Sequence, residues 1–409
     1  MIGNEASWHI VASEYPPQPG GVSDYAQIVA TELAAAGDEV HVWCPGDKRS
    51  GIRGQRSEAR EGKEATLFVH REFGSFAPAD LRRTGKLLDQ FRGPRRLLVQ
   101  WVPHGYGYKS LNVPFCLWLL SRAKLKHDRV ELMVHEPFLA FGEGSQKQNL
   151  AAVVHRFMLT VLLRASSRVW VSIPEWERHL RPFTKRNKPF AWLPVPSNIA
   201  VVDDPDGAAG IRLQYTLSGE ALVGHFGAYN LYMIQLMLKF LPELLTSQTQ
   251  LSMLLVGEGS LELRGRVIEQ HPELTKRIHA TGALSAADLS RHISACDVML
   301  QPYQDGVSGR RTSVMTALAH GLPVITTQGK ATEEVWVNSE AVVLTEAGDI
   351  KAMVEATLDL LADQQRRTLL GNLAANLYRV HFDVQHTVSA LRGDIGSTER
   401  APAASTSAN

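Results

Sequence analysis

"CDVMLQPYQDGVSGRRTSVMTALAHGLPVITT" occupies residues 296–327. An apolar run (296–302) is followed by a loop with two glycines, a second compact apolar run closed by Gly321, and a β-branched run after Pro323. This local grammar reads strand, loop, helix, strand. Strands joined through a helix run parallel, and such units build doubly wound sheets. Outward from it, "ALVGHFG" (221–227), "LSMLLVG" (251–257), "RIHATG" (277–282) and "EAVVL" (340–344) read as further strands, separated by helices such as "ADLSRHISA" (287–295). The first half repeats the pattern with strand-like runs at 8–13, 39–43, 66–70, 96–101, 131–136 and 168–172. Several are nearly continuously apolar, as strands covered on both faces are. The expectation is an α/β fold: two doubly wound Rossmann-like parallel-sheet domains of six strands each, facing across a cleft.

The Pro-, Gly- and Asp-rich stretch 194–210 reads as the linker, which puts the first domain at 1–195 and the second at 196–378. The small, polar residues 396–409 are predicted to be a disordered tail. With 44% hydrophobic and 21% charged residues, the 409-residue chain has ordinary globular composition. No signal peptide is expected, and the longest apolar stretch (112–120) is far too short to span a membrane. Cys44, Cys116 and Cys296 are dispersed and odd in number, which predicts reduced thiols and a cytoplasmic setting.

The net charge of +1 hides an asymmetry. Residues 1–200 hold 27 Lys and Arg against 19 Asp and Glu, while residues 201–409 hold 16 against 23. Segment 109–129 joins an apolar run to Lys109, Arg122, Lys124, Lys126 and Arg129. It reads either as a peripheral contact with anionic lipid at the inner face of the membrane or as a core helix. No nucleic-acid partner is expected.

In open parallel sheets, ligands bind beyond the carboxyl ends of the strands. After the first strand, Gly20 and Gly21 lead into a helix that Ser23 would cap, a ready anion site. His104, Tyr106 and Tyr108 follow another strand and read as a binding wall or as packing. His135 and Glu136 stand at a strand end, where a histidine can serve as a base or hydrogen-bond a sugar hydroxyl. In the second half the strand ends offer Gly227, the Gly282-Ala283-Leu284 loop, and the loop from Ser308 through Gly309 to Arg310 and Arg311. Thr312 or Ser313 would cap the helix that follows. Amides at a helix N-terminus, hydroxyls and two guanidiniums suit a diphosphate. No metal-binding, Walker or nucleophile-elbow motif is present, so no metal and no cofactor are expected.

These stretches together resemble the GT-B glycosyltransferases of the retaining, glycogen-synthase-like type (group 1, or family 4). The resemblance runs over roughly residues 5–395 and rests on "PPQPGGVSDYA" (16–26), "VHE" (134–136), "VGHFGAYN" (223–230), "LLVGEGS" (254–260), "HATGALSAADL" (279–289) and the stretch quoted first. It implies an acceptor-binding first domain, a second domain binding a nucleotide-diphosphate-sugar co-substrate, and a last helix, about 379–395, crossing back to the first domain. It places Gly20 and Gly21 toward the donor phosphates and His135 with His104, Tyr106 and Glu136 on the acceptor side. Gly282, Ala283 and Leu284 would lie near the nucleobase, with Gly227, Ser308, Gly309, Thr312, Ser313 and Thr316 about the donor. The chain departs from the family at its Glu-x7-Glu motif, where Ser308 and Thr316 stand. It also has Ala228 and Met233 where the family often has an Arg and a Lys. The expectation is that Arg310 and Arg311 take over the diphosphate. The function implied is transfer of a sugar to a glycan, lipid-linked or natural-product acceptor. The alternatives are a non-catalytic GT-B binding subunit or, further off, a GT-B epimerase or phosphorylase.

Overall fold

The computed structural model describes residues 7–46, the backbone of 55–58, and residues 66–107, 110–142, 146–185, 187–217 and 219–393. The expected disordered tail, Tyr108 and Lys109 lie outside these residues. Strands β1 (Trp8–Val11), β2 (Val40–Trp43), β3 (Gln55–Glu58), β4 (Leu67–His70), β5 (Arg96–Trp101), β6 (Arg129–Val134), β7 (Arg168–Val171) and β8 (Phe190–Trp192) form the first sheet. Their order is β3-β4-β2-β1-β5-β6-β7-β8. Seven of the eight strands run parallel, and β3 pairs antiparallel with β4 at the edge. The six strands expected are therefore joined by two more. "QRSE" in β3 carries no apolar pattern, and β8 is three residues long between Pro189 and Pro194.

The second sheet has the six parallel strands expected. They are β9 (Ala221–Phe226), β10 (Leu251–Val256), β11 (Ile278–Ala280), β12 (Val298–Gln301), β13 (Val324–Gln328) and β14 (Val343–Glu346), in the order β11-β10-β9-β12-β13-β14. The last strand starts three residues later than its sequence suggests, because Glu340 turns the chain in the left-handed region (φ +52°). Continuous burial of β1, β2 and β10, and of all but the two end residues of β9, follows from their apolar runs, which have helices on both faces to cover them.

Helix α1 (Gly21–Ala35) covers one face of the first sheet. Ser23 is not its cap: Gly20 holds that position, and Ser23 lies inside the first turn with its Oγ donating to the Gln18 carbonyl (2.6 Å). Helices α2 (Pro78–Leu88), α3 (Val113–Leu125), α4 (Gln146–Ala165) and α5 (Pro174–Leu180) complete that domain. The connecting stretch runs into α6 (Pro205–Tyr215), capped by Asp204, so the end of the expected linker is helical. The second domain carries α7 (Leu231–Ser247), α8 (Ser260–Gln270), α9 (Ala286–Ser294), α10 (Thr312–Ala319), α11 (Glu334–Asn338), α12 (Ile350–Ala362) and α13 (Gln364–Leu377). A π-helical turn (Tyr378–Phe382) then leads to α14 (Val384–Arg392), whose Val388 and Leu391 enter the core of the first domain. Gln385 Nε2 donates to Glu32 Oε2 of α1 (3.1 Å), and Arg392 Nη1 donates to the Ala36 carbonyl (2.8 Å).

The apolar run of segment 109–129 is core. Phe115, Cys116 and Leu119 of α3 are fully buried, and Arg122 pairs with Asp89 (2.6 Å) and Asp128 (2.6 Å). Exposed apolar residues lie beside it on α4, where Leu150, Val153 and Phe157 share one helical face. Among the described residues no helix is long and apolar enough to cross a membrane. The three cysteines are free and buried.

One face of the first sheet buries a histidine cluster. Parallel register sets His9 beside His41 and Trp43 beside His70. His41 Nδ1 and His70 Nε2 share a hydrogen bond (3.0 Å), and Trp43 Nε1 donates to His9 Nδ1 (3.1 Å). Burial, with repulsion from His41, lowers the His9 pKa to about 3, and burial lowers that of His70 to about 4. A histidine depressed in the folded state adds stability that is complete above its unfolded pKa, about 6.5, and is lost as pH falls toward the folded value. His9 alone corresponds to on the order of 4 kcal/mol. Urea midpoints are therefore expected to fall steeply between pH 6.5 and 4; a flat profile there would contradict the neutral cluster.

Candidate active site

The loop between β12 and α10 forms one wall of the cleft. It packs tightly on the end of β13 because Gly306 (φ +87°) and Gly329 meet backbone to backbone: a Cβ on Gly329 would stand 2.6 Å from the Asp305 carbonyl oxygen. The helix α10 cap is neither Thr312 nor Ser313. Arg311 holds the cap position without a side-chain cap bond, Thr312 is already helical, and the Ser313 hydroxyl is engaged with Tyr303 Oη (2.8 Å). Thr316 Oγ1 bonds the Thr312 carbonyl (3.0 Å) and Ser197 Oγ (3.1 Å). Ser308 is fully buried, and its Oγ has no hydrogen-bond partner among the described residues.

The two arginines differ. Arg310 reaches the first domain: its guanidinium lies 5.5 Å from the Trp176 ring centroid, and Nη1 stands 3.5 Å from Glu136 Oε1. Arg311 turns over the Tyr303 ring (4.9 Å), and its guanidinium has no hydrogen bond or ion pair among the described residues. Burial and the adjacent Arg310 lower its pKa. A largely desolvated guanidinium without an ion-pair partner is unfavourable in a free protein.

The opposing wall comes from β5, β6 and α5. Glu136 follows β6 and stands 3.8 Å from His104 Nδ1 as well as near Arg310. His135 is buried, hydrogen-bonds Gln100 Oε1 through Nε2 (2.9 Å), and meets Tyr25 edge-on (4.8 Å). Burial drives its pKa down to about 3, so the ring is neutral at physiological pH. Tyr106 does not line the wall. It is fully buried, stacked between Trp101 (5.6 Å) and Phe115 (4.5 Å), because the loop after β5 folds its aromatic residue into the core. At the α1 N-terminus, Glu14 Oε1 already accepts the Ser23 amide (3.2 Å), so a carboxylate of the chain itself stands beside Gly20 and Gly21.

At the other end of the second sheet, Gly257 (φ +119°) lies so close to Gly227 that a Cβ would stand 2.8 Å from the Gly227 carbonyl oxygen. Gly282 (φ +69°) accepts the Gly257 amide (3.3 Å) and donates to Ser260 Oγ (2.9 Å), leaving Ala283 exposed and Leu284 half-buried. Ala228 is exposed and Met233 is buried in α7, so neither brings charge to the cleft.

The sequence reading missed Glu333, just before α11. Its carboxylate accepts the Gly309 amide (2.9 and 3.1 Å) and Trp336 Nε1 (2.8 Å). It also missed Trp176 and Tyr303, which carry the two guanidiniums. "ATEEVW" (331–336) follows β13, so position after a strand was the available signal.

Residues 221–363 match the family model described as Glycosyl transferases group 1. No curated protein matches the chain. Similar solved structures include sucrose-phosphate synthase (tll1590) from Thermosynechococcus elongatus, with TM-score 0.70 and 16% identity over 95% of this chain and 98% of that one. Anabaena Alr3699/HepE in complex with UDP has TM-score 0.67 and 14% identity over 95% and 99%. An α,α-trehalose-phosphate synthase (UDP-forming) from Burkholderia vietnamiensis has TM-score 0.64 and 13% identity over 96% and 98%. The chain has the two-domain GT-B fold of these structures, and its second domain is the part that matches the group 1 glycosyltransferases.

Proposed function

We propose that the protein is a glycosyltransferase that moves a sugar from a nucleoside-diphosphate donor, of which UDP-sugars are the first to test, to an acceptor held against the first domain. The observation that carries this reading is the unpaired Arg311 guanidinium at the N-terminus of α10, inside the region that matches the group 1 model. Arg311, Arg310 and the α10 amides would stabilise the charge that grows on the leaving nucleoside diphosphate, without a metal. Neutral hydroxyls at Ser308 and Thr316 would replace the family's carboxylates. The resemblance implies retention of anomeric configuration, which the product's NMR spectrum reports. Turnover of sugar nucleotides by the purified protein tests the reading. Thr316, already bonded to Ser197 and Thr312, favours a second one: a non-catalytic binding subunit, which would bind donors without turning them over.

We also propose a cytoplasmic protein that meets a lipid-linked acceptor at the membrane surface. The face is not the α3 run but Leu150, Val153 and Phe157 of α4, with Leu139 and Phe141 beside them and Arg164 further along the same helix face. Burying those apolar side chains against anionic lipid suits the basic first half. Phe157→Asp with Leu150→Asp is expected to abolish co-sedimentation with anionic vesicles at low salt. No binding by the parent protein would remove the idea.

A further inference from the structure

We propose that Glu333 is a positioning residue of the donor site: its carboxylate fixes the Gly309 amide beside Arg310, and it takes up a proton when a nucleoside diphosphate binds. The inference rests on the donor-site reading above. Glu333 reaches the loop from the neighbouring strand end, and both of its oxygens receive the Gly309 N–H. Trp336 Nε1 fixes Oε2, and that indole is fully buried and stacked on Phe382 (5.2 Å). The Gly309 carbonyl in turn accepts the Val195 amide from the connecting stretch (2.9 Å). A Cβ on Gly309 would stand 3.1 Å from Glu333 Oε1 and 3.3 Å from the Trp192 ring, so carboxylate, loop and first-domain wall are in contact there.

The charged groups around this carboxylate are few. Arg310 follows Gly309 on the loop, and Glu136 and His104 stand behind it on the first domain. Ser172 and Trp192 of the first domain, and Phe382 of the crossing segment, are neutral. Glu334 begins α11, and Asp305 with Lys330 forms a separate pair (3.2 Å) at the far end of the loop. Burial raises the Glu333 pKa to about 7, while the Gly309 amide and Arg310 hold it down. A bound diphosphate neutralises Arg310 and adds negative charge nearby. Both changes favour the protonated carboxyl, so binding and proton uptake are linked.

The test is calorimetric titration of UDP at pH 8 in buffers of different ionisation enthalpy, where the phosphates of UDP itself are already ionised. The parent protein is expected to take up roughly half a proton per UDP. Glu333→Gln keeps an acceptor for Gly309 and is expected to show no uptake and several-fold tighter binding than the parent at pH 8, with equal affinity at pH 6. The ligand-free Trp336 indole N–H resonance should titrate near pH 7 in the parent only. UDP binding without uptake, or uptake that survives in Glu333→Gln, overturns the proposal. No UDP binding at any pH overturns the donor-site reading and this inference with it, and is distinguished from the first failure by the binding isotherm itself.

Discussion

Arg311→Met is expected to raise the melting temperature of the ligand-free protein while weakening nucleoside-diphosphate binding roughly tenfold to a hundredfold. The two effects have one cause. Arg311 is a largely desolvated guanidinium stacked on the Tyr303 ring; Asp305 and Glu136 favour its charge from a distance, but among the described residues it has no hydrogen bond or ion pair. Methionine fills a similar volume without an uncompensated charge, so the free protein gains about 1–2 kcal/mol, a few degrees at most. The diphosphate loses a charge-assisted contact that neither Ala228 nor Met233 can replace. Lysine at 311 should restore part of the affinity, since it carries the charge but not the planar fork. Arg310→Met should cost less affinity, because Glu136 and Trp176 already hold that guanidinium. Melting curves and UDP titrations of the three variants check this. A less stable Arg311→Met protein with unchanged UDP affinity would make Arg311 a structural residue.

His135→Ala is expected to lower kcat by roughly a hundredfold to a thousandfold while leaving KM for the donor nearly unchanged. The ring follows β6, buried against Gln100 and Tyr25, and the next residue, Glu136, faces Arg310. Its pKa of about 3 leaves it neutral at any working pH. It can hydrogen-bond a hydroxyl of the reacting sugar, but it is too weak a base to accept a proton efficiently near neutrality. The pH–rate profile between pH 5 and 8 should therefore keep its shape in His135→Asn. Steady-state kinetics decide: unchanged turnover would leave His135 as a strand-end partner of Gln100 and nothing more.

The parallel strands were legible because burial on both faces demands unbroken apolar runs, and the chain supplies them at regular intervals. What was not legible has local physical reasons. β3 is a polar edge strand recognised only through its partner, β4. Helix starts at Gly21 and Thr312 were misplaced by a few residues, because the hydroxyls that looked like caps bond Gln18 and Tyr303 instead. Tyr106 and His104 are two residues apart, yet one lies in the core and the other in the cleft; the turn after β5, not residue type, decides that. The arginine pair was visible as a pair, but which guanidinium is free depends on Glu136 and Trp176, more than 130 residues away in the chain. Glu333 stood in view after β13, but its role was not legible for the same reason: its partner Gly309 lies 24 residues earlier, beyond another strand end.

The most direct test is whether the purified protein turns over a sugar nucleotide at this loop. Release of UDP from a panel of UDP-sugars should be measured with the parent protein and with Arg311→Met at donor concentrations far above the parent's KM, with and without lipid-linked acceptors. Release by the parent is expected to rise with the correct acceptor and to be largely lost in Arg311→Met. Donor binding with no release under any acceptor would contradict the transferase reading and leave the protein a binding subunit of the same fold.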